Sequence, residues 1–244
     1  MRRWPLLAAA LVAFCILIGL GTWQVQRMYW KEGLLAQINE RVTQPPAPLS
    51  KIEALQAQTH DVDYWPVTLS GEFLHSGERH FFATWDGQTG YYVYTPLKLA
   101  DGRFVFVNRG FIPYELKDPA KRAQGEVAGT VTINGLARNE LTEKPGWVVP
   151  DNDLTKNVFY WKDIKAMAQT AGLPAGAVVL PFFVDADKTP NPGGLPIGGV
   201  TMIDLPNNHL QYVLTWYGLA AALVAVVAVM LRRKPAEAET DDEA

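Results

Sequence analysis

The chain has 244 residues, 48% of them hydrophobic, and a formal net charge of −3. That length suits one ordinary domain with further segments, and the charge says little about partners; no nucleic acid is expected among them. The single cysteine, Cys15, excludes an internal disulfide, a C-x-x-C-H attachment for covalent haem, and any cysteine pair for copper transfer or thiol exchange.

The apolar residues are concentrated at the two ends. From Trp4 to Gln26 there is no charged side chain across 23 residues, and from Leu205 to Leu231 there is none across 27, with His209 counted as neutral. At about 1.5 Å of rise per residue, either run can cross a hydrocarbon core of roughly 30 Å. The basic start "MRRWPLL" also fits a signal peptide. The run is long for one, however, and no small-x-small cleavage site follows before Trp23, so an uncleaved transmembrane helix is expected over residues 1–28. A second is expected over residues 207–231. Arg2 and Arg3 precede the first, and Arg232, Arg233 and Lys234 follow the second, which puts both termini in the cytoplasm. Arg27, Lys31 and Arg41 argue the other way, but long domains translocate largely regardless of charge. Residues 29–206 are therefore expected outside, as an extracytoplasmic domain. Only three residues precede Trp4, too few for an Arg- and Ser-rich mitochondrial presequence, so a bacterial inner membrane and its periplasm are the expected setting. Residues 232–244, ending "AEAETDDEA", read as a short disordered cytoplasmic tail.

After Lys31, Leu34, Leu35, Ile38 and Val42 follow helical spacing until the three prolines of "TQPPAPLS". "IEALQAQ" is a second short helix. From Tyr64 the pattern changes to short runs rich in Val, Phe, Tyr and Thr: "PVTLSGEF", "RHFFATW", "GYYVYTPLKL", "RFVFVNRGFIP" and "GTVTINGLARN". Gly, Asp-Gly and Pro separate them, and "LADGRF" reads as a hairpin with a primed turn. "NVFYWKDIKAMAQTAGL" is one clear helix, stopped at Gly172, "AVVLPFFVDA" a further strand, and "KTPNPGGLPIGG" a loop. The expected architecture is a membrane protein in which two transmembrane α-helices flank a mainly-β, antiparallel α+β extracytoplasmic domain. Strand order is not legible, nor whether the sheet closes into a barrel.

Little of this sequence speaks for catalysis. Asp61/Asp63 and Asp151/Asp153 stand in turn-like surroundings, where capping explains them. No G-x-S-x-G, H-E-x-x-H or phosphate loop is present, so no enzyme is expected. His75 and His80 are candidates for meeting across a hairpin, but their spacing matches no metal motif. The membrane-proximal residues say more. Trp23, Arg27, Trp30 and Lys31 fall at i, i+4, i+7 and i+8 on the first helix, and His209, Tyr212 and Trp216 at i, i+3 and i+7 on the second. An aromatic belt with snorkelling bases accounts for much of this, and Asn207 or Asn208 suits a helix N-cap. The same parts also compose a haem site: a neutral imidazole for iron, flat rings against the macrocycle, and cations for propionates. In "FVNRGFIP", Asn108 and Gly110 read as a turn ending a strand, braced by Arg109 on a carboxylate.

In order along the chain, "LGTWQVQRMYWK", "YWPVTLSGEF", "GYYVYTPL", "FVNRGFIP" and "NNHLQYVLTWYGLA" resemble the Surfeit-locus (Surf/Shy) family, from about Gly19 to Leu219. Phe111 stands where that family more often has Trp, so the aromatic is kept. The resemblance implies an assembly factor for haem–copper cytochrome c oxidase that acts on haem a insertion into subunit I, alongside other oxidase assembly factors and within the lipid bilayer. It implies His209 as an axial ligand of haem iron. It also carries over Trp23, Gln24 and Arg27 from the family's Trp-Gln-x-x-Arg; Tyr212 and Trp216 would pack the ring, and Arg27 with Lys31 would meet the propionates. The competing expectation is a scaffold that grips subunit I without touching cofactor. A two-helix sensor is disfavoured by a tail of only 13 residues, Arg232 to Ala244.

Overall fold

The computed structural model describes residues 4–203 and 206–232. They form two compact units: one holds the helices near the two ends of the chain, and the other is Ile38–Ile203. The expected acidic tail lies, from residue 233 onward, outside the described residues.

The helical unit is built from α1, Trp4–Val42, and α4, His209–Arg232. Both helices are long and apolar enough to cross a membrane. The sequence reading ends a span at residue 28 and starts a further helix after Lys31, whereas α1 is one helix of 39 residues. After Pro5 the next proline is Pro45, so nothing removes a backbone donor between them. Gly21 and Gln24 on α1 are buried, as are Val213 and Ala220 on α4. Gly21 lies under the Tyr217 ring, where a Cβ would stand 2.5 Å from Cε1, and the hydroxyls of Thr22 and Tyr217 are 3.2 Å apart. Small residues allow this close approach between apolar helices. Farther along, Leu7, Phe14, Val227 and Leu231 border an apolar groove of about 410 Å³.

The second unit is a β-barrel with appendages. Its strands are β1 (Ala47–Pro48), β2 (Pro66–Phe73), β3 (Arg79–Trp85), β4 (Gln88–Leu99), β5 (Phe104–Pro113), β6 (Thr130–Asn139) and β7 (Val179–Ala186). Their order is β1-β2-β6-β7-β5-β4-β3, and β2 also pairs with β4, which closes five strands into a ring. The closing register is Gly71↔Leu99 to Phe73↔Leu97. A Cβ on Gly71 would run into the Lys98 carbonyl, so glycine is what lets the strands meet at this corner. The mainly-β reading holds, with one refinement: β5 and β7 pair in parallel inside the ring, as β1 and β2 do outside it.

Inside the ring pack Val67, Leu69, Leu97, Leu99, Val105, Val107, Leu180, Phe182 and Val184. One end is covered by Ile52 of α2, Leu49–Thr59. A second cluster on the outer face joins Tyr94, Phe106, Phe159 and Phe183 to Ile164 and Met167 of α3, Ile164–Thr170. Strand β5 is therefore covered on both faces, which explains why "FVFVNRGFI" is buried throughout rather than alternating. Each such side chain contributes about 1.5–3 kcal/mol by leaving water.

Three local readings change. The helix expected over 157–173 begins only at Ile164, where the Asp163 carboxylate accepts from the Ala166 N–H at 2.9 Å. The preceding residues extend instead: Val158 bridges Asp153, and Phe159 bridges Phe81 and fills the second core at 0% exposure. Helical apolar spacing exists only from Ile164 through Met167 to Ala171. The primed hairpin turn belongs to Asp86–Gly87 between β3 and β4, both in the left-handed region. At "LADGRF" only Gly102 has positive φ, and Asp101 instead ties its carboxylate to Arg103. Last, Asn-Arg-Gly does not end a strand. It is a bulge within β5, where the register passes from Tyr92↔Phe111 to Tyr94↔Asn108. Asn108 there bonds Asp185 at 3.0 Å and accepts from the Gly110 N–H at 3.1 Å.

The paired aspartates serve the fold. Asp61 accepts from Arg41 at 2.7 Å and from Asn139 at 2.9 Å. Asp63 accepts from Arg138 and from the Asn139 backbone, while Asp153 accepts from the Lys156 N–H. Asp151 pairs with Lys144.

Candidate functional site

Helix α4 begins at His209. The Asn207 side-chain oxygen faces the His209 N–H at 3.4 Å, a long version of the cap expected there. The imidazole turns toward α1, and its Nδ1 lies 2.7 Å from the side-chain oxygen of Gln24. An amide oxygen only accepts, so Nδ1 is the donor, and in a neutral ring the lone pair then lies on Nε2. Among the described residues Nε2 has no hydrogen-bond partner. A ring held through one nitrogen with the other nitrogen free is the usual arrangement of a metal-binding histidine.

The other candidates are placed less uniformly. Lys31 donates to the Pro206 carbonyl, which ties α1 to the segment entering α4. The Arg27 guanidinium lies 4.2 Å over the Trp30 ring, so this cation and this aromatic share the predicted face. Trp23 and Tyr212 are about half exposed, at 51% and 52%, and no hydrogen bond joins either to His209 among the described residues. Trp216 is half-buried, and its indole N–H is buried without an acceptor among those residues. Gln24, carried over from a motif, is thus the only one of the α1 candidates that meets His209 directly. Tyr217 was not singled out in the sequence. Its signal is the i, i+4, i+8 stripe His209–Val213–Tyr217, which faces α1 more fully than the i, i+3, i+7 stripe.

His75 and His80 do not share a site. His75 Nε2 donates to the Val127 carbonyl at 2.9 Å. His80 donates from Nε2 to Glu78 at 2.7 Å and accepts at Nδ1 from Asn157 at 3.1 Å. Among the described residues no group of three His, Cys, Asp or Glu is arranged to hold a metal.

The sequence reading missed a buried charged cluster in the barrel unit. Glu78, Arg79, His80, Arg109 and Arg122 are each under 9% exposed. Arg122 forks onto both oxygens of Glu78. Burial alone would raise the Glu78 carboxyl, but the hydrogen bonds from His80 and Arg122 with the Arg122 charge outweigh it and keep the group below the ordinary carboxylate range. Arg109, expected to brace a turn on a carboxylate, does not. It donates to the Gly125 carbonyl and to Asn191 Oδ1 at 3.0 Å and lies 4.7 Å over the Phe73 ring. Glu78 and Glu126 are the carboxylates whose charge acts on it, but neither hydrogen-bonds it among the described residues, and Glu78 is engaged by Arg122 and His80. A lone Arg inside an apolar strand was the available signal.

The model of the SURF1 family matches residues 11–221 of the chain, a stretch that extends past the five motifs on both sides. Surfeit locus protein 1 of Rattus norvegicus is 38% identical over 237 residues, covering 90% of this chain and 72% of its own length. The Homo sapiens protein of the same name is 37% identical over 238 residues, covering 90% and 74%. A SURF1-like protein of Monosiga brevicollis is 38% identical over 245 residues, covering 95% and 87%.

Proposed function

The chain belongs to the SURF1 family, and from that premise we propose that it assists the assembly of haem–copper cytochrome c oxidase by holding haem a and handing it to subunit I. The observation that carries this reading is the His209–Gln24 hydrogen bond. It orients one imidazole and leaves a nitrogen lone pair for iron, while haem a is cargo rather than a resident group. A single protein ligand suits release, because the second axial position is left to a weak or exchanging partner.

The remaining roles follow from position. The Trp216 and Tyr212 rings supply flat apolar surface beside His209. Arg27, stacked on Trp30, and Lys31, which has donors beyond its bond to Pro206, would neutralise propionates. Nothing in this scheme requires bond-breaking chemistry, so the role is binding and transfer. The proposed setting is a bacterial inner membrane, with α1 and α4 in the bilayer, both termini cytoplasmic and the barrel unit in the periplasm, where it would meet the oxidase or other assembly factors.

To test this, the protein is expressed in cells that make haem a, purified in detergent and examined by absorption spectroscopy. Co-purifying haem a that falls at least tenfold in His209→Ala is expected. No bound haem, or equal haem in the variant, overturns the ligand assignment. The same hydrogen bond favours a second reading, in which it only clamps two helices of a scaffold for a subunit I intermediate. That reading expects His209→Ala to co-purify with subunit I and to support normal haem occupancy of the oxidase.

A further inference from the structure

In the barrel unit, the segment between β6 and α3 carries two apolar side chains that the fold leaves in water. Trp147 is 93% exposed and Val148 73%. They occupy the two corner positions of a turn, closed by the Val149 N–H on the Gly146 carbonyl at 3.3 Å. Corner positions ordinarily go to Gly, Pro, Asn, Asp or Ser, whose backbone preferences or side-chain hydrogen bonds make the turn. Trp and Val supply neither, and their apolar surface stays hydrated. A residue choice that opposes its own local structure points to function rather than folding.

The turn stands on an anchored base. The Asn152 side-chain oxygen accepts from the Tyr160 and Trp161 N–H groups at 2.8 and 3.2 Å, and Asp153 exchanges backbone hydrogen bonds with Val158. From Pro145 to Pro150 no side chain is charged. The flanking Lys144 and Asp151 lie 2.6 Å apart and cancel each other's charge. The result is an apolar tip on an electrically neutral base, a form suited to a surface without net charge.

Size decides which surface. A tryptophan covers about 150–250 Å², whereas a specific protein–protein interface takes about 800 Å² from each partner. A bilayer asks for less. Tryptophan is favoured at the membrane–water interface, and this unit continues at both ends into helices long and apolar enough to cross a membrane. Ile203 and His209 are six positions apart, at most about 20 Å of chain. On so short a tether, a contact too weak to recruit a free protein still forms.

We propose that this tip inserts Trp147 and Val148 into the interfacial layer of a zwitterionic bilayer and so holds the barrel unit at the membrane surface. The proposal rests on α1 and α4 lying in that bilayer and is independent of the haem assignment.

The test places the full chain in phosphatidylcholine nanodiscs with a bimane fluorophore on one cysteine at a time. One is the native Cys15, exposed on α1; the other is introduced by Val148→Cys in a Cys15→Ser background. The label at position 15 should lose emission to a nitroxide-bearing lipid and be shielded from aqueous iodide, which reports helix insertion by itself. The label at position 148 should also lose emission to the nitroxide lipid and be shielded from iodide. Adding Trp147→Ser, at a side chain too exposed to matter for folding, should raise iodide quenching at 148 toward that of the free dye and leave position 15 unchanged. Full iodide access at 148 beside a shielded position 15 overturns this proposal alone. Full access at both positions overturns the membrane-spanning reading and the proposal with it. In membranes of the expressing cells, Trp147→benzoylphenylalanine should cross-link to lipid; capture of a protein instead overturns the proposal in favour of a protein partner.

Discussion

His209 and Gln24 are 185 positions apart in the chain, and their side chains meet at 2.7 Å across the helix pair. Gln24 is 9% exposed within a run that has no charge. As helix glue in a membrane, such a bond is worth only about 0.6–1.7 kcal/mol. Its larger effect is on the imidazole. It fixes which nitrogen is protonated and which way the ring turns, and both matter more to a ligand than to helix pairing.

Gln24→Leu should therefore lower haem retention by tenfold or more while leaving the protein folded, since second-sphere partners of ligating histidines typically set 10–100-fold in affinity. Gln24→Glu keeps an acceptor for the Nδ1 proton and should retain haem. The haem-to-protein ratio after purification is the readout. Full occupancy in Gln24→Leu would mean that the ring is not held for iron by this bond.

The contrast between these two residues also shows where the sequence was informative. The strands over Pro66–Phe73 and Arg79–Trp85 were legible to the residue, because period-two runs bounded by turn residues leave little choice. The ring was not, since closure depends on Gly71 meeting Leu99 on a strand two places away in the chain. Residues 157–163 read as helix because aromatic runs carry no distinct period, and only the pairing of Phe159 with Phe81 decides them. His209 stands out as an odd residue at the edge of an apolar run. Gln24 stands out only through a family motif; its polarity inside that run is the local signal. Asn-Arg-Gly looks like turn chemistry, which makes Arg109 a turn brace on sequence alone, and nothing local reports that β5 is covered on both faces.

Glu78 should be the most sensitive polar position in the barrel unit. It is 4% exposed and anchors Arg122, itself 6% exposed. Glu78→Gln removes the charge that compensates a buried guanidinium and should cost about 3–5 kcal/mol of stability. In a double-mutant cycle with Arg122→Gln, the pair of changes should cost clearly less than the two singles added, because the double variant no longer leaves Arg122 without its counter-charge. Urea unfolding of the four proteins provides the numbers. Strict additivity would show that the two groups do not compensate one another.

Asp61 gives the stability its acid limb. The hydrogen bond from Arg41 is the main cause that takes its carboxyl from the ordinary 3.8 down to about 2, with burial opposing and Asn139 assisting. A folded-state value below the unfolded one means that the contribution is complete above the unfolded value. It is lost as pH falls from about 4 to about 2, where the unfolded chain takes up the proton first. The Asp61 side chain is 43% exposed and that of Arg41 27%, so solvent screening reduces the pair to about 1 kcal/mol. Asp61→Asn should therefore lower the urea midpoint by a constant amount between about pH 5 and pH 7. The gap to the unmodified protein should narrow below about pH 4 and close near pH 2. A gap that is unchanged at low pH would assign the loss to the Asn139 and backbone contacts of Asp61 rather than to its charge.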